Sequence, residues 1–444
     1  MGPLDRRTLL RRGAAVAGGL AAATSLQALT ARGGGTDAAS AASLRAPDGG
    51  GYGPLAPAGP ELALPEGFTY VAFGRTGEPM SDGAPTPAAH DGMAAFAGPG
   101  ATIRLVRNHE LGPGTPFGPG AYDPAAGGGT TTLLFDPVTG TILDSRASLT
   151  GTIRNCAGGP TPWGSWLSCE ETTVGPESGS GLTRPHGYVF EVPAVAVDLP
   201  EPRPLTAMGR FVHEAVAVDP GTGIVYATED RPTAGLYRFL PTVPGDLAQG
   251  GRLQMLAVRK RLGYDTRTGQ TVGTSLPVWW ANIDNPDPAT AATNPLAVYK
   301  QGRTKGGATF ARLEGAWFAG GRLYVNATSG GNAGLGQVWE YRPTSTGGEL
   351  RLVFESPGSH LLDKPDNITV APSGALLLCE DGGGFDFLRG ITLDGLVFDF
   401  GKNILNDSEF DGATFSPDGQ VLFVNMQRPG TTFAITGPWE RGVL

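Results

Sequence analysis

The sequence predicts an all-β fold, a six-bladed β-propeller, on three observations. The 444 residues include 70 Gly and 38 Pro, spread among short apolar runs, a punctuation of frequent turns that excludes long helices. Hydrophobic residues still make up 40% of the chain, with 7 Trp, 10 Tyr and 19 Phe, enough for a core and unlike a disordered polymer. Most informative, the chain repeats itself.

Six segments share one pattern: a ligand-type residue, a short apolar strand, a turn, a second apolar strand and a polar tail. They begin at Asp91, Cys156, Glu214, Glu314, Asp366 and Asp411, separated by 65, 58, 100, 52 and 45 residues. The second strands end in LVRNHE, WLSCEE, VYATED, LYVNAT, LLLCED and LFVNMQ. Turns such as Asp219-Pro220-Gly221-Thr222-Gly223 and Pro417-Asp418-Gly419 are hairpin chemistry. Outer strands follow as GYVFEV, GLYRFL, QVWEYRP and GLVFDF, so each unit can form a four-stranded blade. The long gap, from Glu229 to Glu314, is an insertion carrying the basic run Val258 to Arg261 and Trp279-Trp280. A seven-bladed ring using that insertion, or a pair of β-sandwiches, is the alternative.

The N-terminus reads as a targeting segment. Asp5 to Arg12 is basic and built on the pair Arg6-Arg7, and a soft Ala/Gly-rich stretch from Gly13 to Leu29 follows. Arg-Arg-x-Leu-Leu-Arg resembles the bacterial twin-arginine export signal, which makes the twin-arginine translocase a partner and the periplasm or the extracellular space the destination; a Sec signal or an uncleaved anchor is the alternative. The apolar stretch is too weak for a stable membrane anchor. Ala39-Ser40-Ala41 is the cleavage match, so residues 1–42 are expected as signal peptide, 43–60 as a Gly/Ala/Pro linker and 61–444 as a single propeller domain. A net charge of −9 gives no basic stripe for nucleic acid. No HExxH, GxSxG or GxxxxGK motif occurs, which removes serine-hydrolase and nucleotide-motor readings.

The repeat also predicts a site. The two ends of a hairpin lie at one edge of a sheet, and Cys156 to Glu170, Glu214 to Glu229 and Asp366 to Glu380 span 14, 15 and 14 residues. Asp91, Glu110, Cys156, Glu170, Glu214, Glu229, Glu314, Asp366, Glu380 and Asp411 are therefore expected around one mouth of the channel. So many carboxylates do not ionise together without cations; they are protonated, fan outward, or hold metal. Oxygen ligands favour calcium, whereas a thiolate at Cys156 suits a transition metal such as iron. Cys169 and Cys379 fall inside apolar strands and read as buried thiols, not as a disulfide. His90, His109 and His213 adjoin candidate carboxylates, as ligands or as hydrogen-bonding partners. Arg312 shares a strand face with Glu314, and Arg107 stands beside Asn108. Guanidinium groups near metal would grip phosphate or carboxylate oxygens of a substrate; the alternative is that each pairs with a neighbouring carboxylate.

The residues Asn108-His109-Glu110, NCAGGPTPWGSWLSCEE (155–171), RFVHEAVAVDP (210–220), ATEDR (227–231), RLEGAW (312–317), KPDNI (364–368) and FDGATFSPDG (410–419) resemble the PhoX family of bacterial alkaline phosphatases. That resemblance implies a six-bladed propeller, exported by the twin-arginine route, with a mixed iron–calcium (Fe3+, Ca2+) cluster at one end of the channel. On it, Cys156 would be the thiolate on iron, and Glu170, Glu214 and Glu314 carboxylate ligands of iron and calcium. Arg312 and Asn108 would contact the substrate phosphate, with Arg107 where the family commonly has Lys. The repeat, rather than the resemblance, places Glu171, Glu229, Asp366, Glu380 and Asp411 nearby as further candidates for the metal-binding set. The implied reaction is metal-assisted hydrolysis of phosphate monoesters, with diesters as a second class; a monomer is expected because a closed propeller is self-sufficient. The alternatives are a calcium-dependent propeller lactonase or esterase, and a non-enzymatic calcium-binding propeller.

Overall fold

A computed structural model describes residues 44–195 and 199–444; the expected signal peptide lies outside the described residues. Each repeat begins with a strand at the channel: His90–Ala97, Asn155–Pro160, His213–Val218, Leu313–Ala319, Pro365–Val370 and Phe410–Phe415. Each pairs antiparallel with the next strand in the chain, namely Ile103–His109, Ser165–Glu170, Val225–Glu229, Arg322–Ala327, Leu376–Glu380 and Leu422–Met426. Each innermost strand lies beside the next, and the sixth lies against the first. The ring is therefore closed, and the chain is a β-propeller. Apolar side chains of neighbouring units interleave between the sheets, as Phe73, Leu105, Phe135 and Phe423 do between the sixth and first units, which glues the ring without a common central core.

The hydrogen-bonded sheets number five among the described residues, not six. The cause is the insertion. Its strand Ser275–Asn282 pairs with Asp246–Val258 of the third unit and Gly347–Glu355 of the fourth, fusing the two into one nine-stranded sheet. Trp280 is buried there and donates to the Tyr341 hydroxyl at 3.0 Å. The long gap is thus a brace between two units and adds no blade. It also holds the α-helix Ala297–Thr304, and no helix among the described residues is long and apolar enough to cross a membrane.

Two chain ends close the ring. Thr69–Phe73 pairs with Thr431–Thr436, so the sixth sheet takes its outer strand from the N-terminal side. Leu62–Pro65 adds to Val397–Asn403 of the fifth unit, with Leu55–Pro57 outside it. The stretch expected as a linker is laid against the body from Arg45 onward. Its composition is that of a linker, but one aromatic anchors it. Tyr52 is 5% exposed, packs edge-on against Phe68 and Phe400, donates to Trp439 O at 3.0 Å and accepts from Leu444 N at 2.9 Å.

Every innermost strand carries one extra residue relative to its partner at its channel-mouth end, a β-bulge repeated six times. A bulge re-aims side chains locally, and here the re-aimed residues are Asp91, Cys156, Glu214, Glu314, Asp366 and Asp411. Gly92 and Gly315 follow two of them because adjacent innermost strands touch: a Cβ would lie 2.6 Å from Ala157 Cα and 2.5 Å from Asp366 O respectively.

Removing the anchor tests the closure. Tyr52→Ala is expected to lower the unfolding free energy by about 3–5 kcal/mol and Tyr52→Phe by about 1 kcal/mol, read by denaturant unfolding.

Candidate metal centre

The six bulge residues open into one cavity of about 180 Å3, lined by Asp91, Glu110, Arg154, Cys156, Glu171, Glu214, Asp230, Arg312, Glu314, Asp366, Asp381, Glu409, Asp411 and Gln427. Three positions per unit explain that composition. The first is the bulge residue. The second is the residue just past the second strand: Glu110, Glu171, Asp230, Thr328, Asp381 and Gln427. Its N–H donates, in every unit, to the carbonyl two residues before the bulge residue, at Ala89, Arg154, Val212, Arg312, Lys364 and Glu409, over 2.8–3.3 Å. Those carbonyl-bearing residues are the third position.

The last three residues of each second-strand motif (NHE, CEE, TED, NAT, CED, NMQ) therefore have separate tasks. The first letter faces the neighbouring unit. Asn108 donates to Cys156 O at 2.9 Å and Ala157 O at 2.7 Å, Thr228 to Glu314 O at 2.7 Å, Asn326 to Asp366 O at 2.8 Å and Asn425 to Asp91 O. Each so fixes the backbone of a cavity residue in the next unit. Cys169 and Cys379 stand at the same position, buried and free. The middle letter points into the sheet and fastens loops. Glu170 accepts from Ile153 N, His186 Nδ1, Gly187 N and Tyr188 N. Glu229 accepts from Gly235 N and the Tyr237 hydroxyl, and Glu380 from Asp363 N, Phe387 N and Arg389 Nε. Only the third letter reaches the mouth.

Of the residues singled out from sequence, Arg312, Cys156, Glu171, Glu214, Glu314, Asp366 and Asp411 line the cavity, as do Asp91 and Glu110. Glu170, Glu229 and Glu380 do not, because alternation along the strand turns them into the sheet. Asn108 is buried, its oxygen taken by Trp166 Nε1 and Ser168 Oγ at 2.9 Å each. Arg107 is buried away from the cavity, donating to Gly74 O, Thr432 Oγ1 and Thr131 Oγ1; burial lowers it to about 9. His90, His109 and His213 are buried against backbone carbonyls, and burial holds all three below the ordinary histidine range, His213 at about 4. The sequence reading missed Asp230, Asp381, Glu409 and Arg154. The signal for the first two was present, since each follows a middle-letter acid by one residue.

The cavity sets ten carboxylates against two guanidinium groups. Arg154 pairs with Glu110 at 3.2 Å and with Glu171. Arg312 binds Asp230 through Nε at 3.0 Å and Nη2 at 3.3 Å, and lies 2.5 Å from Glu314. Burial, reinforced by neighbouring carboxylates, raises Asp91, Glu214, Glu314 and Asp411 well above the ordinary carboxylate range. The same causes carry Asp366 to about 7 and Glu409 to about 10, and Glu171 to about 8 against the pull of Arg154. Burial and then the Glu214 charge push the Cys156 thiol up. Oε2 of Glu314 and Oδ2 of Asp411 are buried without a hydrogen-bond donor, and Asp366, Asp381 and Glu409 each bring an oxygen within 4.8 Å of the others. Unpaired, inward-facing oxygens beside a thiol are a donor set for cations of both hard and thiophilic kinds.

The family profile described as alkaline phosphatase PhoX matches residues 50–132 and 124–430, which takes in every cavity residue. The chain belongs to the PhoX alkaline phosphatase family. It is a phosphatase on that membership, and its substrates are phosphoesters. Among solved structures, Pseudomonas fluorescens PhoX in complex with vanadate, a transition state analogue, superposes with TM-score 0.67 at 17% identity, covering 88% of this chain and 98% of that one; this likeness carries the fold. A gluconolactonase from Xanthomonas campestris follows at TM-score 0.45 and 14% identity, over 87% of this chain and 98% of that one, too remote to bear on activity. No curated protein matches in sequence.

For this PhoX-family mouth, the raised carboxylates fix a pH dependence. Unfolded carboxylates titrate near pH 4, whereas Asp366 and Glu171 hold their protons to about 7 and 8 when folded. Between those limits the folded chain binds more protons than the unfolded one, so stability falls as pH rises; the share of Asp366 and Glu171 is lost by about pH 8, and that of Glu409, raised to about 10, continues beyond it. Chelator-treated protein should show a melting temperature that declines from pH 5 to pH 8, with calcium restoring it most at the alkaline end. A flat profile would contradict the burial of these groups.

Proposed function

We propose that this phosphatase is exported and hydrolyses phosphate monoesters, with diesters as a secondary class, using iron and calcium held in the ten-carboxylate mouth. The observation that carries the reading is the composition of the mouth in a PhoX-family chain: unpaired buried carboxylates, one thiol and guanidinium groups in a single cavity. Cys156, Glu214 and Glu314 would hold the thiophilic cation, and Asp366, Asp381, Glu409 and Asp411 the calcium side. What such cations supply when bound is neutralisation of phosphoryl charge and Lewis acidity.

The chain's own groups then have defined tasks. Arg312 grips phosphoryl oxygens and stabilises the charge that builds on them. Asn108 acts through Cys156, locking the carbonyl on which the thiol's position depends. Glu170, Glu229 and Glu380 position the mouth by fixing the loops behind it. No side-chain nucleophile is called for, in keeping with a cavity that has no serine or threonine hydroxyl among its described lining residues. Vanadate in the Pseudomonas fluorescens relative is a phosphoryl mimic and supports phosphate as the group recognised. The Arg6-Arg7 signal supports export by the twin-arginine route to the periplasm or beyond, and a self-closed ring is consistent with a monomer.

Protein purified without chelator should contain iron and calcium by elemental analysis and hydrolyse p-nitrophenyl phosphate in an EGTA-sensitive manner. Cys156→Ala should lose iron and turnover together, and Arg312→Ala should lower kcat/KM about 100- to 1,000-fold with metal content retained. Calcium without iron, and no turnover, would turn the reading to a lactonase or a calcium-binding propeller.

A further inference from the structure

We propose that Arg154 is a second phosphate-gripping guanidinium, acting with Arg312 as a two-armed clamp that selects phosphate monoesters; the assignment rests on the phosphatase reading above. The internal repeat carries it. Arg154 and Arg312 occupy one position in the second and fourth units, two residues before Cys156 and Glu314. Both have left-handed backbone, φ 49° and 46°, a conformation that costs a non-glycine residue about 1 kcal/mol. Both carbonyls accept the N–H of the residue that closes the next strand, Glu171 at 2.9 Å and Thr328 at 2.8 Å. Each guanidinium reaches back to the third-letter acid of the preceding unit, Arg154 to Glu110 and Arg312 to Asp230, and also contacts a cavity acid of its own unit, Glu171 and Glu314. Lys364 holds the same position and the same backbone in the fifth unit, but the preceding unit offers Thr328 there, and Lys364 does not line the cavity. Two units of six therefore present a cation to the mouth by one geometry.

The donors left over indicate what the cations are for. Arg154 makes both of its ion pairs through Nη2, which leaves Nε and Nη1 without a partner among the described residues, and Arg312 leaves Nη1 in the same state. The two side chains are 48% and 31% exposed, enough to meet a ligand entering the cavity. A monoester dianion offers three non-bridging oxygens to such a pair, whereas a diester offers two and a single charge, so the clamp favours the monoester.

The test uses the full metal-loaded protein, with Arg154→Ala and Arg154→Lys beside wild type. The Kd for inorganic phosphate by calorimetry and the KM for p-nitrophenyl phosphate should rise about 10- to 100-fold in Arg154→Ala, the loss of a hydrogen bond to a charged group, with iron and calcium unchanged. Bis-p-nitrophenyl phosphate should be affected less, so the monoester-to-diester ratio falls, and Arg154→Lys should recover part of the phosphate affinity. Unchanged phosphate affinity would overturn the assignment. So would a fall in metal content with both substrates reduced by one factor, which marks a mere counter-ion to Glu110 and Glu171. A wild type that neither binds phosphate nor hydrolyses the monoester would overturn the phosphatase reading itself, and the clamp with it.

Discussion

One hydrogen bond, made six times, governs this molecule: the N–H just past each second strand donates to the carbonyl two residues before each bulge. It ties the two strands of every hairpin together at the channel mouth, and with the bulge it turns two side chains toward the axis in every unit but the fourth, where Thr328 bonds to Pro365 O instead. Everything chemical about the chain follows from which residues fall at those positions. Where they are acidic in nearly every unit, carboxylates converge that no soluble domain would gather for stability alone, because desolvation and mutual repulsion both oppose it.

The rest of the fold is arranged to hold that mouth rigid. Asn108, Thr228, Asn326 and Asn425 each fix the backbone of a cavity residue in the next unit, so a shift in one unit is felt by its neighbour around the ring. Middle-letter acids fasten the loops behind. The outer closure is redundant: a strand from the N-terminal side completes the sixth sheet, another extends the fifth, and the insertion welds the third to the fourth. A rigid scaffold of this kind lets donor atoms remain unpaired without the mouth collapsing, which is what Glu314 and Asp411 require.

Much of this was legible in the sequence, since repeats at near-regular spacing expose both the architecture and the edge at which ligand-type residues gather. Cys156, Glu214, Glu314, Asp366 and Asp411 were found because each opens its repeat. The tails were harder. In CEE, TED and CED the acid that reaches the cavity is the third residue, and the acid before it faces the sheet, so Asp230 and Asp381 were overlooked in favour of Glu229 and Glu380. A one-residue slip exchanges the faces of a strand, and spacing alone does not reveal where the bulge resets the alternation. Arg154 escaped for a related reason: its equivalence to Arg312 appears only once the two bulges are aligned. Tyr52 was hidden by a Gly- and Pro-rich setting that reads as linker.

The central claim is that the carboxylates of the mouth oppose folding and are kept for their cations, and neutralising one of them tests it most directly. Asp411 suits the purpose, because its Oδ2 has no donor and its neighbours are acids. In metal-free protein, Asp411→Asn should be more stable than wild type, by a margin that grows with pH at about 1.4 kcal/mol per unit above the ordinary carboxylate range. Denaturant unfolding at pH 5 and pH 8 reads that margin. A variant less stable than wild type by the same amount at both pH values would contradict the account, and would make Asp411 an ordinary structural residue.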